Sequence, residues 1–263
     1  MKIIKIPFSG NNPNNDDCDK APDKIVEVLG TVYASEDNHL VHPKLFNIEL
    51  IPVKNKDWEL SKKNIIDFVM QNDDFPICLG GDHSITYPLF KAFSQKFQNA
   101  GLIIFDAHPD TYHKEDYEYF HGGWLKFLVD DNIIDPRKVI VIGIRNPDPE
   151  EINYMKKKKI TFYTMKQIFE NDVKEVCDMV MEKAREFSNL YISLDIDVLD
   201  PAFAPGTGCI EPGGMSSREL IYFIQRLRLL KNVKMMDIVE INPEMDINDM
   251  TSKLAAKIIG EFF

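Results

Sequence analysis

The sequence predicts an α/β fold, a single three-layer α/β/α domain over residues 1–263 with a mostly parallel sheet of roughly eight strands. Three observations carry this. Short β-rich runs alternate with helical patterns along the chain, as they do in βαβ units. Several runs, such as Leu102-Ile103-Ile104-Phe105 and Val139-Ile140-Val141-Ile142-Gly143-Ile144, are almost continuously apolar, as strands covered on both faces are. With 44% hydrophobic and 28% charged residues in 263, the chain can build one sizeable core, and no repeat, low-complexity linker or composition break divides it.

In chain order the expected strands are Ile3–Pro7, Asn47–Pro52, Phe75–Leu79, Gly101–Asp106, Val139–Ile144, Ile160–Tyr163, Leu190–Asp195 and Val233–Val239. Between them, Ile65, Phe68 and Val69 mark one helical face, and Leu89, Phe93 and Phe97 another at a spacing of four. Val173, Val176, Cys177 and Val180 mark a third. Ser216-Ser217-Arg218-Glu219 has the form of a capping box ahead of Leu220, Phe223, Ile224 and Leu227. Met250, Leu254, Ile258 and Ile259 form a last stripe, with Gly260 as its expected C-cap. The run Lys156–Lys159 reads as a solvated helix face. Two long irregular stretches remain, Ser9–Lys20 and Ile196–Met215, and long loops in compact domains often carry function.

The net charge of −11 argues against nucleic-acid binding and accords with a cationic substrate. No apolar stretch reaches bilayer-spanning length, and the N-terminus, MKIIKIPFSG, lacks the features of a signal peptide. Cys18, Cys78, Cys177 and Cys209 are scattered without a CxxC, so a reduced, cytoplasmic setting is expected. Cys78 and Cys177 sit in apolar patterns and read as core.

Three segments carry chemistry: Gly80-Gly81-Asp82-His83-Ser84, Asp106-Ala107-His108-Pro109-Asp110, and Ser193-Leu194-Asp195-Ile196-Asp197-Val198-Leu199-Asp200-Pro201. Each follows a strand run, and in open α/β sheets the binding crevice lies beyond the carboxyl ends of the strands. Asp106, His108 and Asp110 fall at i, i+2 and i+4. If the backbone stays extended, their side chains share one side, and Asp195 and Asp197 repeat the spacing. His83 follows two glycines that allow a tight turn. Four converging carboxylates need raised pKa values or bound cations, and two divalent ions balance four charges. Carboxylate with a little imidazole suits Mn²⁺, and no cysteine belongs to the set, which lowers the odds of a structural zinc site. Each segment alone also reads as a strand end with a turn or helix cap.

Taken together and in order, these motifs resemble the ureohydrolase family, which includes arginase, agmatinase and guanidinobutyrase. The resemblance runs from about Phe75 to the C-terminus. It extends through Ala204-Pro205-Gly206-Thr207-Gly208, Glu211-Pro212-Gly213-Gly214 and Glu240-Ile241-Asn242-Pro243. It implies an arginase-like fold and two Mn²⁺ per chain, one held by His83, Asp106, Asp110 and Asp195 and the other by Asp106, His108, Asp195 and Asp197. Asp106 and Asp195 would bridge the ions, and water activated between them would attack a guanidinium carbon. The resemblance makes His121 a proton shuttle to the leaving amine and Glu240 the guanidinium partner. His121, Glu240 and Asp110 are therefore the expected catalytic residues, with His121 and Glu240 also touching substrate. It also implies a homo-oligomer, a trimer or hexamer.

Arginases typically carry Asn and Ser in the segment Thr111–Phe120, where the substrate's α-carboxylate is received. Here the segment reads TYHKEDYEYF. Its Glu115, Asp116 and Glu118 suit the free amine of a decarboxylated substrate, while Lys114 leaves a carboxylate possible. GxxEPGG and SSREL also look more like agmatinases. The expected reaction is therefore hydrolysis of agmatine to putrescine and urea, with L-arginine next. Guanidinobutyrate, aminopropylagmatine and formimino compounds remain open. A single-metal deacetylase-like hydrolase and a metal-bound scaffold without turnover are the rival readings, and the intact ligand set speaks against both. Cys209 stands where relatives often have Thr; it is a candidate pocket residue and a candidate for thiol sensitivity, or a small filler. Tyr112, Tyr117 and Phe120 are candidates for the pocket mouth. His39, His42 and His113 read as surface or loop residues.

Overall fold

The computed structural model describes residues 2–12, 15–72, 76–112 and 121–262. Its centre is a sheet of β1 (Lys2–Ile6), β2 (Asn47–Leu50), β3 (Pro76–Gly80), β4 (Ala100–Phe105), β5 (Val139–Ile144), β6 (Thr161–Thr164), β7 (Asn189–Asp195) and β8 (Val233–Val239). Every expected strand is present, its ends moved by at most two residues. The strand order is β2-β1-β3-β8-β7-β4-β5-β6, and all seven pairings are parallel. β7 and β8 thus enter last and close the gap between β3 and β4.

Alternation along the strands feeds two cores, one on each face. Ile3, Ile77, Ile103, Ile140 and Ile192 face one side; Ile4, Cys78, Leu102, Val141 and Tyr191 face the other. The helices are α1 (Ala21–Leu29), α2 (Trp58–Gln71), α3 (Thr86–Lys96), α4 (Trp124–Asp130), α5 (Pro149–Lys158), α6 (Met165–Asn171), α7 (Val173–Ala184), α8 (Ser217–Leu227) and α9 (Met250–Phe262). Helices α1, α6, α7, α8 and α9 bury their stripes in the first core. Helices α2, α3, α4 and α5 bury theirs in the second. The predicted α/β/α layering is therefore the observed one. Among the described residues no helix is long and apolar enough to cross a membrane.

Local signals explain the helix starts. Ser216 Oγ accepts from Glu219 N at 3.2 Å and Glu219 Oε2 accepts from Ser216 N at 2.7 Å, the reciprocal box expected at α8. The sequence reading did not single out α1, α4 and α6, and it marked α5 only by its lysine face, although Asp148 and Glu151 form a capping box at its start with Pro149 in the first turn. Lys156, Lys157 and Lys158 occupy the last turn of α5. Gly260 is not a C-cap: α9 runs on to Phe262. A Cβ at Gly260 would lie 2.7 Å from Val41 Cγ2, so the glycine lets α9 pack tightly against the Val41 segment.

Candidate metal centre

The chemistry-bearing segments leave the carboxyl ends of four neighbouring strands, β3, β8, β7 and β4. β3 delivers His83, β4 delivers Asp106, His108 and Asp110, β7 delivers Asp195 and Asp197, and β8 delivers Glu240. Neither Gly80 nor Gly81 adopts positive φ. Their role is close approach: a Cβ on Gly81 would fall 1.9 Å from Phe8 O, where Asp82 N donates to that carbonyl at 2.8 Å. The expectation of extended backbone through Asp106–Asp110 does not hold either. The strand ends at Phe105, the chain bends at Ala107 and His108, and Asp110 has φ 50°, so a turn rather than pleat alternation aims the three side chains.

The side chains form two groups around Asp106. In the inner group, His83 Nδ1 lies 3.2 Å from Asp106 Oδ2, 3.0 Å from Asp110 Oδ2 and 3.1 Å from Asp195 Oδ2. In the outer group, His108 Nδ1 lies 3.4 Å from Asp106 Oδ1 and 3.1 Å from Asp197 Oδ2. Asp106 thus turns one oxygen to each histidine. Asp195 turns Oδ2 to the inner group, while its Oδ1 accepts from Asp197 N at 2.9 Å.

This arrangement fits cations. The buried atoms His83 Nδ1 and Asp106 Oδ2 have no hydrogen-bond partner, and the donor set is imidazole and carboxylate oxygen. Protonation measures the same crowding. Burial opposes charge on His83, but Asp106, Asp110 and Asp195 outweigh it and hold the imidazole well above its ordinary pKa. Burial, then Asp197 and Asp106, push Asp195 well above the usual carboxylate range. Burial and Asp106 likewise raise Asp110. Cations would relieve what protons relieve in the metal-free chain.

A further set of side chains holds the inner group in place. His83 Nε2 is 2.9 Å from Ser193 Oγ, and Ser193 Oγ donates to Asp237 Oδ1 at 2.7 Å. Tyr191 and Thr86 hydroxyls donate to Asp237 Oδ2 at 2.5 and 2.9 Å. Trp124 Nε1 donates to Asp110 Oδ2 at 2.7 Å. Such partners fix a ligand's tautomer and orientation.

A cavity of about 170 Å³ opens over both groups, and His121, Glu240, Glu151, Asn12, Tyr112, Thr207 and Cys209 are among the residues that line it. Glu240 has φ 64° and is clamped: Oε1 accepts from His83 N at 2.8 Å, and Oε2 accepts from Asn12 Nδ2 and Asn15 Nδ2 at 2.9 and 2.7 Å. Burial still pushes it up to about 7. His121 Nδ1 stands 3.7 Å from Glu240 Oε1, and burial lowers its pKa, so it rests neutral at pH 7. Glu151 accepts from Thr111 N at 2.9 Å and Asp148 N at 3.1 Å, and burial pushes it up to about 7.

Asn12, Asn15, Glu151, Trp124 and Asp237 were not anticipated, with only the flag on the irregular stretch Ser9–Lys20 pointing toward the first two, and Ser193 was read as part of its motif without a role. Cys209 lines the cavity, as the sequence reading allowed, but its Sγ and ligand atoms of His108 and Asp197 all lie within 4.8 Å of one another, so the expectation that no cysteine stands with the ligands does not hold. Cys78 and Cys177 are core residues, and His39 and His42 are exposed. Within the acidic segment only Thr111 and Tyr112 are described; residues 113–120, with His113, Lys114, Glu115, Asp116, Tyr117, Glu118 and Phe120, lie outside the described residues.

A parallel sheet with imidazoles and carboxylates gathered at its carboxyl edge defines the class, an α/β protein whose side chains could hold metal ions. The family is specific: the model of the arginase family matches residues 1–263, and the chain belongs to that family, the ureohydrolases. It is 33% identical over 259 residues to an arginase of Staphylococcus aureus (strain MRSA252), covering 93% of this chain and 83% of that protein. The crystal structure of formimidoylglutamase from Bacillus subtilis superposes with a TM-score of 0.92 at 28% identity, covering 99% of this chain and 85% of the other. The agmatine ureohydrolase of Thermoplasma volcanium superposes with a TM-score of 0.87 at 27% identity, covering 99% and 87%.

Proposed function

We propose that this arginase-family hydrolase is a two-manganese amidinohydrolase acting on agmatine to give putrescine and urea. The observation that carries the substrate is the charge of the cavity wall. Beyond the metal ligands, whose charge two Mn²⁺ would balance, Glu151 and Glu240 line it, and no lysine or arginine does among the described residues. A substrate cationic at both ends suits such a wall. A tail carboxylate would find no cation among the described residues.

His83, Asp106, Asp110 and Asp195 would hold one Mn²⁺, and Asp106, His108, Asp195 and Asp197 the other. Bound there, the pair would supply a water nucleophile near neutral pH and offset developing charge. The chain's own groups do the rest. Glu240, fixed by three N–H donors, pairs with the planar guanidinium and holds its carbon in place. His121, neutral at rest, takes up a proton and gives it to the departing amine nitrogen. The guanidino carbon gains oxygen from water as its bond to the alkyl nitrogen breaks. Glu151, at the cavity wall, receives the ammonium tail. A homo-oligomer, trimer or hexamer, belongs to the same reading, and a monomeric mass in solution removes it.

The test is product release from Mn²⁺-loaded protein with agmatine, L-arginine and a formimino amino acid compared side by side. Turnover of agmatine at least tenfold above the others is the expected result. Preference for arginine, the activity named for the S. aureus relative, would mean that residues 113–120 supply the missing cation. Preference for the formimino compound would move the chain toward the B. subtilis relative.

A further inference from the structure

We propose that Cys209 is a sulfur ligand for the outer metal position, so that His108, Asp197 and Cys209 together accept a softer divalent cation such as Co²⁺, Zn²⁺ or Cd²⁺. This rests on the metal centre proposed above and not on agmatine as the substrate.

Geometry comes first. The ligand atoms of the three residues lie within 4.8 Å of one another. An ion at about 2.0–2.3 Å from each would draw them to roughly 3.5 Å, a closing movement of about an ångström. The thiol proton leaves to solvent as the sulfur–metal bond forms, so the set gains one negative charge where it gains two positive ones.

Cys209 is also held where it is. On its N-terminal side Gly206 N donates to Thr251 Oγ1 at 2.8 Å, and Asn242 N donates to Gly206 O at 2.8 Å. On its C-terminal side the Arg145 guanidinium donates to Glu211 O at 2.8 Å and to Asp197 O at 2.6 Å. One arginine therefore ties the Cys209 segment to the segment carrying Asp197.

A second observation points to a ligand at the same wall. Thr207 Oγ1 is buried without a hydrogen-bond partner, and Thr207 lines the same cavity. A cation beside His108 with its water shell gives that hydroxyl an acceptor or donor.

The inner position differs. Its donors are His83, Asp106, Asp110 and Asp195, with no sulfur among them. Thiolate favours softer ions and carboxylate harder ones, so the two positions differ in metal preference within one chain.

The experiment titrates Co²⁺ into metal-stripped full-length wild type, Cys209→Ser and Cys209→Thr, following near-ultraviolet absorption and bound metal. Wild type is expected to develop a sulfur-to-cobalt charge-transfer band, and both variants to bind cobalt without it. Displacement of Mn²⁺ by Cd²⁺ is expected to be roughly tenfold or more weaker in the variants. Bound cobalt with no band in wild type, or a band that survives in both variants, overturns the inference and leaves the manganese centre standing. No bound cobalt and no bound manganese would overturn both. Silence on agmatine with the band present would overturn the substrate reading alone.

Discussion

The two histidines of the centre occupy contrasting surroundings. The His83 side chain is 1% exposed, and the His108 side chain 23%. His83 is braced from behind by Ser193 on β7, which donates in turn to Asp237 on β8. His108 has Asp197 3.1 Å away, on the 3-10 turn Ile196–Val198 that follows β7, and Cys209 nearby in the irregular stretch beyond it. The inner half is thus an outgrowth of the sheet core, while the outer half depends on a loop. On the proposed metal centre we therefore expect the first to hold its ion more rigidly and the second to exchange more readily.

The sharpest way to break this comparison is to remove the residue both halves share. Asp106→Ala takes an oxygen from each histidine's group, and we expect loss of both metals. Activity should fall beyond the roughly 10²–10³-fold typical of removing a single charge-stabilising donor. Metal analysis and turnover check this; full metal content with wild-type turnover would dissolve the division into two halves around one carboxylate. Next in size is His121→Ala, which leaves all six expected ligands in place. It should keep both metals and lose about 10²–10⁴-fold in kcat, and metal loss in this variant would place His121 among the ligands instead.

Glu240→Gln should cost about 1.5–3 kcal/mol in kcat/KM, the range for a hydrogen bond to a charged group. Its pH behaviour adds a separate check. Burial holds the Glu240 proton up to about 7, and only the ionised form pairs with a guanidinium. Wild-type kcat/KM should therefore fall as pH drops through that region, or through a lower one once cations attract the carboxylate. The Gln variant should lose that acidic limb. An acidic limb unchanged in the variant would assign it to another group.

The contrast between the halves also marks what the sequence made legible. Short continuous apolar runs such as Val139–Ile144, alternating with helical patterns, mark the buried central strands, whereas the edge strands β2 and β6, only partly buried, were legible from their β-rich composition and spacing. The residues meeting at the metal positions share short motifs placed at strand ends, and these too were legible. Asp237 was not: it lies in the interior of β8, three residues before Glu240, and only the β7–β8 register, Ser193 opposite Asp237, reveals its partner. Asn12 and Asn15 reach Glu240 across more than 220 residues of chain, a distance over which no local period speaks. The place of Cys209 at the pocket was legible, but its closeness to His108 and Asp197 was not, because its segment is irregular and is tied down through Arg145, Asn242 and Thr251 rather than by any repeat.

Asp237→Asn gives the finest test, since it acts on one half alone and through another residue. Asn keeps an acceptor for Ser193 Oγ and offers an amide toward Tyr191 and Thr86, whose hydroxyls can accept as well as donate. Packing therefore survives, and what is lost is the buried negative charge behind the Ser193–His83 pair. We expect metal affinity at the inner position to fall about 10–100-fold, with the outer position unchanged and KM unchanged at saturating Mn²⁺. Added Mn²⁺ should restore turnover, which it could not do for a chain that was merely destabilised. Equal weakening at both positions would show that the brace serves the centre as a whole, and the separation of a rigid inner half from an adaptable outer one would fail.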